Sequence, residues 1–136
     1  MPEKLKLRIV TPYRQLFEQE VSEVSLPGEL GEIGILPGHT ALMSTLGIGE
    51  LRYRGDGKEH SLVVAGGFVE VDGDEVTVLA ETGELAGEID SARAQAAKER
   101  AEKELTHVER LSEGDFEQLR AALQRALIRL QVGEKE

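Results

Sequence analysis

Cysteine is absent from this 136-residue sequence, as is tryptophan, and only 4% of its residues are aromatic. The missing cysteines exclude disulfides and thiolate chemistry, which suits a cytosolic chain. Long hydrophobic runs are missing too: none approaches the roughly 20 residues needed to span a bilayer. The opening Met1-Pro2-Glu3-Lys4 lacks the charged-then-apolar plan of a signal peptide. Any membrane association is therefore expected to run through other proteins. Positive charge is scarce in the front of the chain, where residues 1–89 carry 7 Lys/Arg against 16 Asp/Glu. Such a surface repels every phosphate of a nucleic acid, so nucleic acid is not an expected partner. Residues 90–136 are nearly balanced, with 9 against 10. The plain reading of this asymmetry is a solvated acidic surface on the front half; the sharper one is that two differently charged parts meet different partners.

What is present divides by periodicity. In the front half Leu5, Leu7 and Ile9 alternate with Lys4, Lys6 and Arg8, the pattern of a strand with one apolar face. Val21, Val24 and Leu26 read as another strand, ended by Pro27-Gly28. Residues 51–54 and 61–64 flank Gly55-Asp56-Gly57, and residues 68–71 and 76–79 flank Asp72-Gly73-Asp74; both read as hairpins. Short strands at this spacing predict an all-β sandwich or barrel over residues 1–88.

From residue 89 onward the period becomes helical. Asp90 is placed to cap a helix, and Ala94, Ala97, Ala101, Leu105, Val108 and Leu111 follow in steps of three and four. Ser112-Glu113-Gly114-Asp115 breaks that run, and Asp115 with Gln118 reads as the start of a second helix. Phe116, Leu119, Leu123, Leu127 and Leu130 form its apolar stripe. The expected fold is α+β: an N-terminal all-β sandwich followed by a C-terminal antiparallel two-helix hairpin over 89–136. An alanine-rich seam buries little area, which would let the hairpin leave its docked position; a permanently docked hairpin is the alternative.

No catalytic site emerges. The glycines at 28, 31 and 34 lack a following helix and the Lys-Ser/Thr of a phosphate loop, and Glu29 and Glu32 would repel phosphate, so these glycines are assigned to backbone turns. His39, His60 and His107 have no metal-ligand spacing. The carboxylates pair with no identifiable base or nucleophile. The remaining constellation is Asp90, Arg93 and Arg100: at about 100° per residue the two arginines fall within roughly 20° of each other and Asp90 about 60° away. Two guanidiniums on one helical face can hold a polyphosphate. Ala94 and Ala97 would leave room for a flat ring, and Glu84 lies just upstream. The same spacing also describes a solvated face with ion pairs such as Glu99 to Lys103.

The run Gly31-Glu32-Ile33-Gly34-Ile35-Leu36-Pro37-Gly38-His39, followed by Gly66-Gly67-Phe68-Val69-Glu70-Val71 and Val76-Thr77-Val78-Leu79-Ala80, resembles the epsilon subunit of bacterial F-type ATP synthases. The resemblance covers essentially the whole chain, with one departure: Ala41 stands where the family commonly has proline. It implies a β-sandwich followed by two helices, in a subunit that binds gamma, sits on the c-subunit ring and turns with the central stalk. Glu32 and His39 match interface positions. Ile89-Asp90-Ser91-Ala92-Arg93-Ala94, with Glu84 and Arg100, resembles the family's nucleotide-binding motif, which implies ATP as a regulatory ligand and no required cofactor. In the implied mechanism the extended tail reaches the alpha and beta subunits of the catalytic head and blocks hydrolysis. Arg120, Arg125 and Arg129 on the second helix are candidates to meet acidic segments there; the alternative is that they complement the helix dipole near its C-terminus, as Asp115 and Glu117 do at its start. The implied location is the cytoplasmic face of a bacterial plasma membrane. A coupler whose tail never moves, and a stand-alone ligand-binding sandwich, are the competing readings.

Overall fold

A computed structural model describes residues 4–134; Met1–Glu3 of the opening sequence lie outside the described residues. The chain divides into two compact units that part between Leu85 and Ala86.

The first unit contains eight strands: β1 (Leu5–Val10), β2 (Gln15–Val21), β3 (Glu23–Gly28), β4 (Gly31–Ile35), β5 (Leu42–Thr45), β6 (Ile48–Gly55), β7 (Lys58–Asp72) and β8 (Glu75–Leu85). Their hydrogen-bonded order is β2-β1-β8-β7-β6-β3-β4, with β5 added to β7. β7 is long enough to serve both layers of a sandwich. Its first half pairs with β6 as far as Ala65, and its second half pairs with β5 from Phe68. The change occurs at Gly66 and Gly67, whose φ values are +70° and +99°. A Cβ on Gly67 would lie 1.9 Å from the Leu79 carbonyl oxygen, so only glycine fits there.

Alternation fills the core as expected. Leu5, Leu7, Ile9, Val69, Val71, Val76 and Val78 from one layer meet Val24, Leu26, Ile35, Leu51, Leu62 and Val64 from the other, all essentially without solvent exposure. Both expected hairpins form around two-residue loops. Asp56-Gly57 and Gly73-Asp74 all have positive φ, the type I′ geometry that matches strand twist.

Three expectations need correction. Val21, Val24 and Leu26 are not one strand: the chain breaks at Ser22, whose N–H and hydroxyl both donate to the Arg54 carbonyl, and Val21 ends β2 while Val24 and Leu26 belong to β3. Pro27 and Gly28 remain within β3. Gly34 is not a turn residue but lies in β4, opposite Ser25; of the three glycines, Gly31 alone has positive φ.

The second unit opens with a single 3-10 turn (Ala86–Glu88), followed by helix α1 (Ser91–Leu105), a second 3-10 turn (Val108–Arg110) and helix α2 (Glu113–Gly133). The Asp90 carboxylate accepts the Arg93 N–H at 3.1 Å, so Asp90 caps α1 as expected. α1 ends six residues before Leu111, because the Thr106 hydroxyl donates to the Lys103 carbonyl at 2.6 Å and tightens the turn; Val108 is left exposed. The cap of α2 is Ser112, not Asp115. The Ser112 hydroxyl accepts the Asp115 N–H and the Asp115 carboxylate accepts the Ser112 N–H, a reciprocal box that does not involve Gln118. The helices run antiparallel: a Cβ on Gly133, at the end of α2, would lie 3.0 Å from the Ser91 hydroxyl at the start of α1. Ala94, Ala101 and Ala126 are buried. Leu127 is 45% exposed, because it lies about 80° around the helix from Leu119, and the inward line passes through Ala126 instead.

Candidate functional site

Of the candidate site residues singled out in the sequence, Glu32, His39 and Glu84 lie in the first unit and the others in the second. Glu32, on β4, is held by two neighbouring strands: its carboxylate accepts hydrogen bonds from the Ser25 hydroxyl of β3 and from the Arg52 guanidinium of β6. These two donors, Ser25 first and Arg52 next, hold the carboxyl below its ordinary value of 4.5. Arg52 is raised in turn, chiefly by Glu32. Arg54, two residues along β6, pairs with Glu23 at 3.2 Å. Together they line an open groove of about 440 Å³ that also includes Leu36 and Tyr53.

His39 closes a turn. Its N–H donates to the Leu36 carbonyl at 3.1 Å, and its ring Nδ1–H donates to the Thr40 carbonyl at 2.6 Å. Pro37 stands at the second position of that turn and Gly38, with φ +85°, at the third, which is the type II pattern. The turn leaves Leu36 58% exposed.

The sequence reading missed an apolar surface of the sandwich. Phe68 pairs directly with Leu79 across β7 and β8, and Met43 on β5 lies opposite Glu70 of β7. Their exposures are 52%, 48% and 68%. With Glu70 and Thr77 they line a depression of about 280 Å³. The signal was available: Val69, Val71, Val76 and Val78 claim the inward phase of these strands, so Phe68 and Leu79 must point outward, where polar residues are expected.

The nucleotide-site residues divide between the units. Glu84 lies on β8 opposite Val63. Ile89, Asp90, Arg93, Ala94 and Arg100 belong to the second unit. Arg93 and Arg100 are exposed on one face of α1, and among the described residues neither makes an ion pair. Glu99 receives a hydrogen bond from Gln95 at 3.1 Å rather than pairing with Lys103. Ala94 is 3% exposed and turned inward, which leaves Ala97, about 40° from Arg93, beside the arginines. Ile89 is half-buried against Gly133.

On α2, Arg120, Arg125 and Arg129 do not share a face. Arg125 and Arg129 lie about 40° apart, whereas Arg120 is about 180° from Arg129; Arg120 is exposed and the other two are half-buried. Among the described residues no group of three His, Cys, Asp or Glu side chains is placed to hold a metal ion, and no helix is long and apolar enough to cross a membrane.

Residues 4–86 match the family described as ATP synthase, Delta/Epsilon chain, beta-sandwich domain. Residues 88–134 match ATP synthase, Delta/Epsilon chain, long alpha-helix domain. The chain belongs to the ATP synthase epsilon family. The epsilon chain of Citrifermentans bemidjiense is 50% identical to it over 135 residues, covering 99% of this chain and 97% of that one. The epsilon chain of Geobacter sulfurreducens is 47% identical over 135 residues, with the same coverage. A chain of the Euglena gracilis mitochondrial ATP synthase, solved as an OSCP/F1/c-ring assembly, has a TM-score of 0.82 at 22% identity, covering 100% of this chain and 84% of that one. A chain from the central stalk and c-ring of the Tetrahymena thermophila enzyme has a TM-score of 0.61 at 12% identity, covering 96% of each. Those two likenesses extend the shared fold to distant chains. As an epsilon-family member, this protein is a subunit of ATP synthase and not its catalytic subunit.

Proposed function

We propose that this epsilon chain couples gamma to the c-subunit ring in the rotor of a proton-translocating F-type ATP synthase, at the cytoplasmic face of a bacterial plasma membrane. The outward face formed by Met43, Phe68 and Leu79 carries this reading. An apolar patch held in place by strand pairing is the kind of surface that a permanent partner covers. We assign it to gamma, and the edge bearing Glu32 and His39 to the ring. Replacing Phe68 or Leu79 by Asp is expected to lower co-purification with gamma at least tenfold, because a carboxylate would be buried without a partner. Undiminished recovery of gamma with both variants would overturn the assignment.

A second reading concerns the hairpin, and Arg93 and Arg100, on one exposed face and without an ion pair among the described residues, favour it. On this reading ATP binds there with Glu84, Ile89 and Asp90 contributing and Ala97, in place of the inward-turned Ala94, leaving room beside the arginines, and it stabilises a compact hairpin. The extended hairpin inhibits hydrolysis at the alpha and beta subunits. ATP at about 100 times its dissociation constant stabilises the binding state by roughly 2.7 kcal/mol, a shift of about a hundredfold. Calorimetric titration of the isolated protein is expected to show saturable binding that both Arg93→Ala and Arg100→Ala abolish. No heat at millimolar ATP would leave the coupling role standing and remove the nucleotide from the switch. Of the α2 arginines, Arg125 and Arg129 share a face and are expected to act together in inhibition, with Arg120→Ala nearly silent.

A further inference from the structure

We infer that Asp74 is a positioning residue that locks the Leu36–His39 turn in the form presented to the c-ring. The inference rests on the reading of that turn as an interface. Asp74 is the second residue of the two-residue loop joining β7 to β8, with φ +64°. Its backbone carbonyl accepts the Lys6 N–H at 2.9 Å, which ties the loop to β1. Its carboxylate accepts the Gly38 N–H at 2.7 Å, from 36 residues away in the chain.

The Gly38 N–H is the group that distinguishes the two common forms of such a turn. Types I and II have the same closing hydrogen bond, from His39 N–H to the Leu36 carbonyl here, and differ by a flip of the central peptide. Pro37 at the second position is compatible with both. The closing bond therefore cannot select between them. The bond from Gly38 to Asp74 can, because the flip would carry the N–H away from the carboxylate and leave both groups without each other. A negatively charged acceptor on a rigid hairpin loop makes this a charge-assisted bond of the stronger kind. The selected form sets how Leu36 and His39, at the two ends of the turn, meet a partner. A flipping turn would have to be ordered at each encounter, at the expense of affinity.

The test uses the full chain and two variants that tolerate positive φ. Asp74→Gly removes the acceptor and Asp74→Asn keeps a neutral one. Amide hydrogen exchange at Gly38 and affinity for purified detergent-solubilised c-ring are measured for both, beside His39→Ala. Asp74→Gly is expected to speed Gly38 exchange and weaken ring binding about tenfold, the size of one charge-assisted hydrogen bond. Asp74→Asn is expected to restore most of the protection and affinity, which loss of general stability would not explain. Unchanged Gly38 exchange in Asp74→Gly would overturn the lock. If His39→Ala weakens binding and Asp74→Gly does not, the positioning role is overturned while the interface reading stands. If His39→Ala binds like the parent protein, the interface reading itself falls.

Discussion

Phe17 of β2 and Tyr53 of β6 meet ring to ring, with centroids 4.9 Å apart and planes inclined at 37°. No ladder joins their strands, since three others separate them in the hydrogen-bonded order. The contact closes the sandwich at a side where backbone pairing does not, and Tyr53 continues it by stacking on His60 at 5.1 Å. The chain has few aromatic residues, and two of its five sit at this seam. A double-mutant cycle of Phe17→Leu and Tyr53→Leu, read by urea unfolding, is expected to give a coupling energy of about 0.5–1.5 kcal/mol. Strictly additive variants would show that the rings are neighbours without mutual stabilisation.

Gly67 and Gly57 both have positive φ, yet replacing them should have very different consequences. At Gly57 nothing lies within 4 Å of an added Cβ, so Gly57→Ala is expected to cost about 1 kcal/mol of backbone strain. At Gly67 the same methyl meets the Leu79 carbonyl oxygen at 1.9 Å. Gly67→Ala is expected to cost more than about 3 kcal/mol, because strain and a backbone collision add at the point where β7 changes layers. Denaturant midpoints of the two variants decide the matter.

The start of α2 offers a contrast between two polar residues, Ser112 and Gln118, of which only the first takes part in the cap. Ser112→Ala removes the hydroxyl half of the reciprocal box, leaving the bond from the residue-112 N–H to the Asp115 carboxylate, and is expected to lower hairpin stability by about 1 kcal/mol. Gln118→Ala should change it by less than about 0.5 kcal/mol, since Gln118 takes no part in the cap. Thermal melting followed by helical circular dichroism measures both.

Glu32 makes part of the sandwich's stability dependent on pH. Its folded carboxyl titrates below the ordinary 4.5, chiefly through Ser25 and Arg52. Between those two values the unfolded chain binds more protons, so this contribution is complete above about pH 5 and is lost as pH falls through the folded value. Glu32→Gln is expected to flatten the stability curve on the acid side while leaving its slope near neutrality unchanged. Glu32 is exposed on the surface, so the difference should shrink in high salt. An acid limb that is identical in the two proteins would show that the ion pair contributes nothing.

Local features were legible along the chain, because their causes lie within a few residues. Period-two alternation placed Leu5, Leu7 and Ile9 inward, and Asp56-Gly57 set a type I′ turn. Asp90 declared the start of α1, and steps of three and four foretold two antiparallel helices. The motif through Leu36-Pro37-Gly38-His39 pointed to the family. Tertiary structure decided what depends on residues distant in the chain. β7 read as the second strand of one hairpin and the first of another; pairing with β5 and β6 made it one strand shared by two layers, bent at Gly66-Gly67. Phe68 and Leu79 looked like ordinary strand residues until their register put both on the solvent side. Ser25 and Arg52 had no visible connection to Glu32, nor Asp74 to Gly38, because their proximity follows from strand order and not from spacing. Short-range hydrogen bonds and side-chain period are written along the chain, whereas the direction in which a turn or a carboxylate is held is set by the strands that pack beside it.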